Sequence, residues 1–253
     1  MLAKSNTNDA RRRDPFKKPE VLVVRYERQL RSIAREVGRI VKGFDIGTER
    51  AAVSIRATLN KYAELLQPWA EATAARMASD LDRQDRAIWN RNAREMSLSL
   101  RKELNDAPVG TELQRFLHDN VKLITSLPRE EGERVHELTI EGLANSSRAR
   151  TIAGEIMRTG EVTEGRAMLI ARTETSRTAS VLTQVRSESI GSDGYVWHTV
   201  GDSDVRPRHK KLNGKVFKWS SPPIAGENGE RAHAGQIYNC RCYPEPIIPE
   251  LDE

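Results

Sequence analysis

The stretch that decides the fold lies near the C-terminal end, where YVWHTVGDSDVRPRH occupies residues 195–209, LNGKVF occupies 212–217 and NCRC occupies 239–242. The first block starts with β-branched and aromatic residues, which predicts a strand. The dipeptide Asn213-Gly214 is a strong hairpin signal and leads into a second strand. The last block predicts a third extended segment, so we expect a small antiparallel sheet.

Upstream of this sheet, apolar residues recur at the three- and four-residue steps of amphipathic helices. Between residues 20 and 145 they predict several helices, one of which ends before Pro128, with shorter helices following as far as residue 158. Residues 161–189 predict one long helix. The expected fold class is α+β: an elongated, mainly helical N-terminal region, then a compact C-terminal domain in which this long helix packs on the sheet.

Three parts of the chain follow from these patterns. We predict a basic flexible arm over residues 1–19, a helical region over 20–145, and a C-terminal domain with an extended Pro-rich tail over 146–253. The predicted core of the C-terminal domain is formed by Trp197, Leu212, Val216 and Phe217.

The chain of 253 residues carries 41 Lys and Arg against 36 Asp and Glu, a net charge of +5. This balance permits binding to nucleic acid or an acidic partner without requiring it. Basic residues of the arm are candidates for such contacts, or form a solvated tail: Arg11, Arg12, Arg13, Lys17 and Lys18. We expect neither a membrane span nor a secretory signal, because no apolar run is long enough.

The order of the motifs resembles one known family. A helix carrying ARTET at 171–175 comes first, and Tyr-x-Trp, Asp-x-x-x-x-His, LNGKVF, a Pro/Gly loop and NCRC follow. This order is similar to the Mu F-type minor head proteins of tailed bacteriophages, over about residues 146–245. The motif residues that carry the resemblance are Arg172, Glu174, Trp197, Asp204, His209, Leu212, Gly214, Phe217, Cys240 and Cys242.

The resemblance implies a minor capsid protein that is made in the host cytoplasm and enters the phage head. It would act in head morphogenesis, DNA packaging or DNA delivery, near the portal or the inner capsid wall. The implied partners are the portal protein, the major capsid protein and packaged double-stranded DNA. For Arg172 and Glu174 we predict a structural role, which is to fix the long helix against the closing loop.

The cysteines and histidines leave two interpretations open. Similar proteins carry further Cys and His residues at positions that are here Arg206, His209 and Ile237, and such a set would suit zinc. In this chain His209, Cys240 and Cys242 remain, with His233, His198, Asp202 or Asp204 as a fourth ligand, whereas a structural zinc site normally has four protein ligands. We therefore favour packing and hydrogen bonding with no cofactor, and keep zinc as the alternative.

Two other classes of function are weaker candidates. Asp202, Asp204, His209 and His233 would also suit a metal-dependent nuclease or hydrolase, but the chain contains no known catalytic signature. A DNA-binding module is a further alternative, although the helices mix Arg with Asp and Glu, which is typical of a salt-bridged surface. The sequence thus predicts a structural protein and no enzyme.

Overall fold

The computed structural model describes Phe16 and residues 20–46, 48–92, 102, 106–144 and 149–249. Its helices and strands, in chain order, are α1 (Glu20–Lys42), α2 (Glu49–Leu65), α3 (Gln67–Asn92), α4 (Val109–Ala144), α5 (Ala149–Met157), α6 (Thr159–Ser189), β1 (Gly194–His198), α7 (Pro207–Leu212), β2 (Val216–Lys218) and β3 (Tyr243–Pro246). The α+β fold class is therefore confirmed.

Helices α1 to α6 share one hydrophobic core. The predicted apolar stripe of α1 is buried, with Leu30 and Val37 fully inaccessible to solvent, and α1 packs most extensively on α6. Ile124 of α4 and Leu182 of α6 lie in the same cluster. The division at residue 145 stays a prediction, and the core runs continuously across it.

Helix α4 differs most from the sequence prediction. It continues through Pro128 to Ala144 as one helix, where a break and shorter helices were expected. A proline inside a helix costs about 3 kcal/mol, but Pro128 is buried within a face that also buries Ile124 and Val135. Burial of that face against α2 offsets the local cost, so the prediction that the helix ends there is wrong.

The sheet has the order β2-β1-β3, and both pairings are antiparallel. Asn213 and Gly214 form a turn in which the Lys215 N–H donates to the Leu212 carbonyl at 3.0 Å. Gly214 has φ of 74°, which a residue with a side chain rarely adopts. This turn joins α7 to β2, because a short helix lies where a strand of a hairpin was expected.

Helix α6 connects the two parts of the fold. Besides its contact with α1, it packs on β3, so the small sheet rests on a helix that also belongs to the helical core. In the parts of the chain that the structure describes, no helix combines the length and apolar character required to span a membrane.

The contact between α1 and α6 depends on a pair of glycines. A Cβ atom added at Gly38 would lie 2.9 Å from the Cα atom of Gly160, which is closer than real Cβ contacts come. We predict that Gly38→Ala lowers the free energy of unfolding by about 1–3 kcal/mol, because the two helix backbones must move apart. Urea unfolding followed by circular dichroism measures this change.

Gly165 provides the matched control, since it lies within α6 and no atom lies within 4 Å of an added Cβ. There the same substitution is expected to raise stability by about 0.5–1 kcal/mol through helix propensity. If Gly38→Ala also stabilises the protein, the close helix contact is not present.

Candidate functional site: the closing loop and the His209 cluster

The C-terminal domain is built around an aromatic core. Tyr195 and Trp197 of β1 are fully buried, and the Tyr195 ring lies 4.4 Å from the Trp219 ring, centroid to centroid. Phe217 is partly buried and packs on this cluster, but Val216 is 51% exposed. Neighbouring residues of a strand face opposite sides, so the prediction that both belong to the core is wrong for Val216.

Leu212 and Gly214 lie where α7 gives way to β2. Leu212 is partly buried and packs against the aromatic cluster. The Gly214 N–H donates to the Trp197 carbonyl at 2.8 Å, so the pairing with β1 begins before the first residue of β2.

The closing loop before β3 is held on α6 by two side chains that the sequence did not single out. Thr173 Oγ1 accepts a hydrogen bond from the Asn239 N–H at 3.0 Å, and Arg177 Nε donates to the Gln236 carbonyl at 3.3 Å. Asn239 has φ of 52°, in the left-handed region that asparagine adopts more readily than most residues. Residues four apart share a helix face. The spacing of Thr173 and Arg177 could therefore have predicted that both contact the same neighbouring segment.

Arg172 and Glu174 act differently from the prediction. Arg172 points to α1 and donates to Glu27 Oε1 at 2.9 Å, so its predicted contact with the closing loop is wrong. Glu174 is buried and accepts from Arg177 Nη1 at 3.2 Å, which supports the loop indirectly. Burial raises the pKa of Glu174, while the Arg177 charge opposes that rise.

His209 lies between the two cysteines. Its Nδ1 atom is 3.5 Å from Sγ of Cys240 and 3.5 Å from Sγ of Cys242. All three side chains are buried, and both cysteines are free thiols. On the other side of the ring, Nε2 lies 3.1 Å from the Ala225 carbonyl oxygen.

The contact with Ala225 determines which ring nitrogen of His209 carries the proton. A carbonyl only accepts hydrogen bonds, so Nε2 carries the proton, and in the neutral ring Nδ1 presents a lone pair to the two sulfur atoms. The hydrogen-bond contact with Cys242 lowers the pKa of the Cys240 thiol, and burial opposes that fall. The same Cys240 contact, with burial, raises the pKa of Cys242.

Charged residues line the cavity beside this cluster. Arg241 contacts Asp202 Oδ2 at 2.6 Å and Asp204 Oδ2 at 3.4 Å, while Arg206 donates to the Tyr238 carbonyl at 2.9 Å. A cavity of about 20 Å³ lies beside the cluster. It is lined by Val200, Asp204, Val205, Arg206, His209, Asn239, Cys240, Arg241 and Cys242.

The two other candidate histidines lie apart from this cluster. His233 is buried against Trp219, and its Nδ1 atom hydrogen-bonds the Tyr195 hydroxyl at 3.1 Å. His198 on β1 contacts Glu245 Oε2 at 2.6 Å. Of the residues predicted as metal ligands, the fold brings together His209, Cys240 and Cys242.

The basic residues of the arm lie outside the described residues: Arg11, Arg12, Arg13, Lys17 and Lys18. Phe16 is described, and it packs edge-on against Trp89 with ring centroids 5.3 Å apart. The prediction of a flexible arm over residues 1–19 otherwise lies outside the described residues.

Comparison with known proteins finds a family match over the part of the chain that contains this cluster. The chain matches the family model described as "Phage Mu protein F like protein" over residues 133–244. Residues 133–244 are therefore similar to the Mu F-like family. This range, hereafter the Mu F segment, contains the His209 cluster, the closing loop and α6. The family is one of structural phage head morphogenesis proteins.

A curated relative from Haemophilus influenzae, named "Uncharacterized protein", is 28% identical over 214 residues. The match covers 84% of this chain and 46% of the relative, so the chain spans about half the length of the curated relative it matches. No solved structure matches the chain.

The support for the closing loop of the Mu F segment gives a testable prediction. Thr173→Val keeps the shape of the side chain but leaves the Asn239 N–H without its acceptor. We expect the free energy of unfolding to fall by about 0.5–1.5 kcal/mol, the net contribution of a typical hydrogen bond, because Asn239 is exposed and its N–H can bind water instead. Chemical denaturation followed by tryptophan fluorescence measures the change.

Thr178 is the matched control. It is also buried on α6, and its hydroxyl has no hydrogen-bond partner among the described residues. Thr178→Val should be neutral or stabilising, because it removes a buried polar group that gains nothing. Equal destabilisation by both variants would mean that the hydroxyl of Thr173 does not hold the loop.

The burial of His233 predicts a pH dependence of stability. Burial lowers the pKa of His233 from its ordinary value, so the unfolded chain takes up a proton before the folded chain does. The free energy of unfolding should therefore fall as the pH drops below about 6.5. His233→Gln should reduce this slope, as measured by urea unfolding at a series of pH values.

The control for this experiment is His118→Gln, since His118 is exposed on α4. It should leave the slope unchanged. A slope that is identical in wild type and His233→Gln would contradict the assignment.

Proposed function

We propose that the protein is a minor capsid protein of a tailed bacteriophage that binds the portal, the inner capsid surface or both during head assembly. It is made in the host cytoplasm, enters the head and assists morphogenesis, DNA packaging or DNA delivery. The observation that carries this proposal is the Mu F segment, which holds every side chain of the closing loop and the His209 cluster.

The side chains of the candidate site support a structural role. Thr173 and Arg177 bind the closing loop to α6, Arg206 binds the Tyr238 carbonyl, and Arg241 binds Asp202. These contacts connect chain segments to one another and fix the shape of the domain. A fixed domain suits a component that keeps one shape while it binds larger assemblies, and we propose no catalytic role for it.

Exposed apolar side chains within the Mu F segment are candidate contacts to a head protein. Four of them fall where α4 ends and α5 and α6 follow: Ile140, Leu143, Met157 and Val162. Apolar residues grouped on a surface often mark protein contacts. Because head morphogenesis is a property of the family, residues inside the Mu F segment are better candidates than exposed apolar residues elsewhere.

We assign any contact with packaged DNA to the N-terminal arm. The described helices pair their charges across the surface, as Arg25 and Arg83 both do with Asp80, and Arg86 does with Asp82. Such pairing leaves less free positive charge for phosphate groups. The arm concentrates basic residues and adds to the net charge of +5.

Capture of head proteins by the purified full chain tests the proposal. The immobilised chain is incubated with the portal and major capsid proteins from the same phage or prophage. We expect wild type to retain at least one of them. Serine substitution of Ile140, Leu143 and Met157 together should weaken binding roughly tenfold, the loss of about 1.4 kcal/mol of contact free energy.

The matched control replaces Val21, Val53 and Leu65 with serine, since these residues are equally apolar and exposed but lie outside the Mu F segment. It should bind like wild type, and all three proteins should melt cooperatively. Retention of neither head protein by folded wild type would contradict the proposed function. Equal weakening by both variants would contradict the assigned surface, and cleavage of duplex DNA would contradict a non-catalytic role.

A further inference from the structure

The His209 cluster has the spacing of a metal site. In a tetrahedral zinc site with Zn–S near 2.3 Å and Zn–N near 2.05 Å, a nitrogen and a sulfur ligand lie about 3.5 Å apart. Nδ1 of His209 lies 3.5 Å from each sulfur atom, and the three ligand atoms all lie within 4.8 Å of one another. Both nitrogen–sulfur separations therefore match those of a tetrahedral zinc site.

The surroundings of the ring prepare it for coordination. A histidine that binds a metal usually donates its other ring N–H to a carboxylate or a backbone carbonyl, which fixes the tautomer. Here Nε2 donates to the Ala225 carbonyl at 3.1 Å, so the lone pair of Nδ1 points between Cys240 and Cys242. This support comes from a loop that is distant in sequence from both cysteines.

The three ligands are buried to a degree that favours an occupied site. His209 and Cys240 are each 2% exposed, and Cys242 is 5% exposed. Two thiolates would balance the charge of a divalent ion, and a neutral assembly is far less costly to bury than an isolated charge. Sulfur and imidazole ligands select zinc among common cellular divalent ions, since magnesium and calcium prefer oxygen.

The fourth coordination position has room for a small ligand. The cavity of about 20 Å³ beside the cluster is lined by all three ligands and is large enough for one water molecule. His233 does not supply this ligand, because it contacts the Tyr195 hydroxyl and the backbone of Trp219. His198 contacts Glu245 on the edge strand.

We propose that His209 Nδ1 and the sulfur atoms of Cys240 and Cys242 bind one zinc ion, with a water molecule from the cavity as the fourth ligand. The ion joins α7 to the closing loop and adds a cross-link between segments about 30 residues apart in sequence. This site goes beyond the proposed head-protein function and does not depend on it.

Metal analysis of the full chain tests the site. The protein is purified under reducing conditions, its free thiols are counted, and bound metal is read by mass spectrometry. We expect about one zinc per chain in wild type, with loss of zinc in Cys240→Ser and Cys242→Ser. His198→Gln should keep its zinc, because that ring lies outside the cluster.

Cobalt substitution reports the coordination directly. Cobalt-loaded wild type should show a thiolate-to-metal charge-transfer band and the visible bands of a tetrahedral ion, and each serine variant should weaken the charge-transfer band. A chelator should lower the melting temperature of wild type but not of Cys240→Ser.

Two results would overturn the proposal. One is reduced, cooperatively folded wild type that retains only traces of zinc after incubation with zinc and desalting; the cluster would then be held by thiol–imidazole hydrogen bonds alone. The other is zinc retained equally by wild type and both serine variants, which would place the metal elsewhere.

Discussion

The burial of α6 on several faces is the constraint on which the rest of the structure depends. This helix packs on α1, where Gly160 meets Gly38, and it also packs on β3, so neither part of the fold is complete without it. Its buried faces are rich in Ser and Thr, which are small enough to allow close packing. Their hydroxyls bond the preceding turn, as Thr175 does to the Ala171 carbonyl and Ser187 to the Thr183 carbonyl, so burial leaves most of them satisfied.

Buried charges also contribute to the packing of α6. Arg186 of α6 is 1% exposed and contacts both Asp82 and Asp85 of α3 at 2.5 Å. Burial raises the pKa of Asp85, and the Arg186 charge opposes that rise. Removing one partner of such a pair typically costs 3–5 kcal/mol, because the other charge stays buried. Arg186 therefore joins α6 to α3 through two carboxylates.

Sequence reasoning succeeded where local pattern and tertiary packing agree, and it failed where tertiary contacts decide. The period of α1 and the aromatic start of β1 predicted a buried helix and a strand, as observed. The predicted helix end before Pro128 was wrong because burial of the surrounding face outweighs the local cost of the proline. The predicted contact of Arg172 with the closing loop was wrong because the partner of a helical side chain depends on which element packs beside it. The sequence placed Cys240 beside Cys242, but only the fold brings His209, from α7, between them.

The closing loop depends on α6, and α6 depends on α1. The N-terminal helices and the Mu F segment therefore form one structural unit. The family match begins at residue 133, yet the helix that holds the loop shares its core with helices before that point. The match to the Haemophilus influenzae relative extends over 214 residues, a length that must include much of the chain outside the Mu F segment. A common core accounts for this extent, because α1 packs on α6 and α6 holds the loop through Thr173 and Arg177. The N-terminal helices are thus part of the support of the candidate site, and the Mu F segment on its own would expose the apolar faces that they cover.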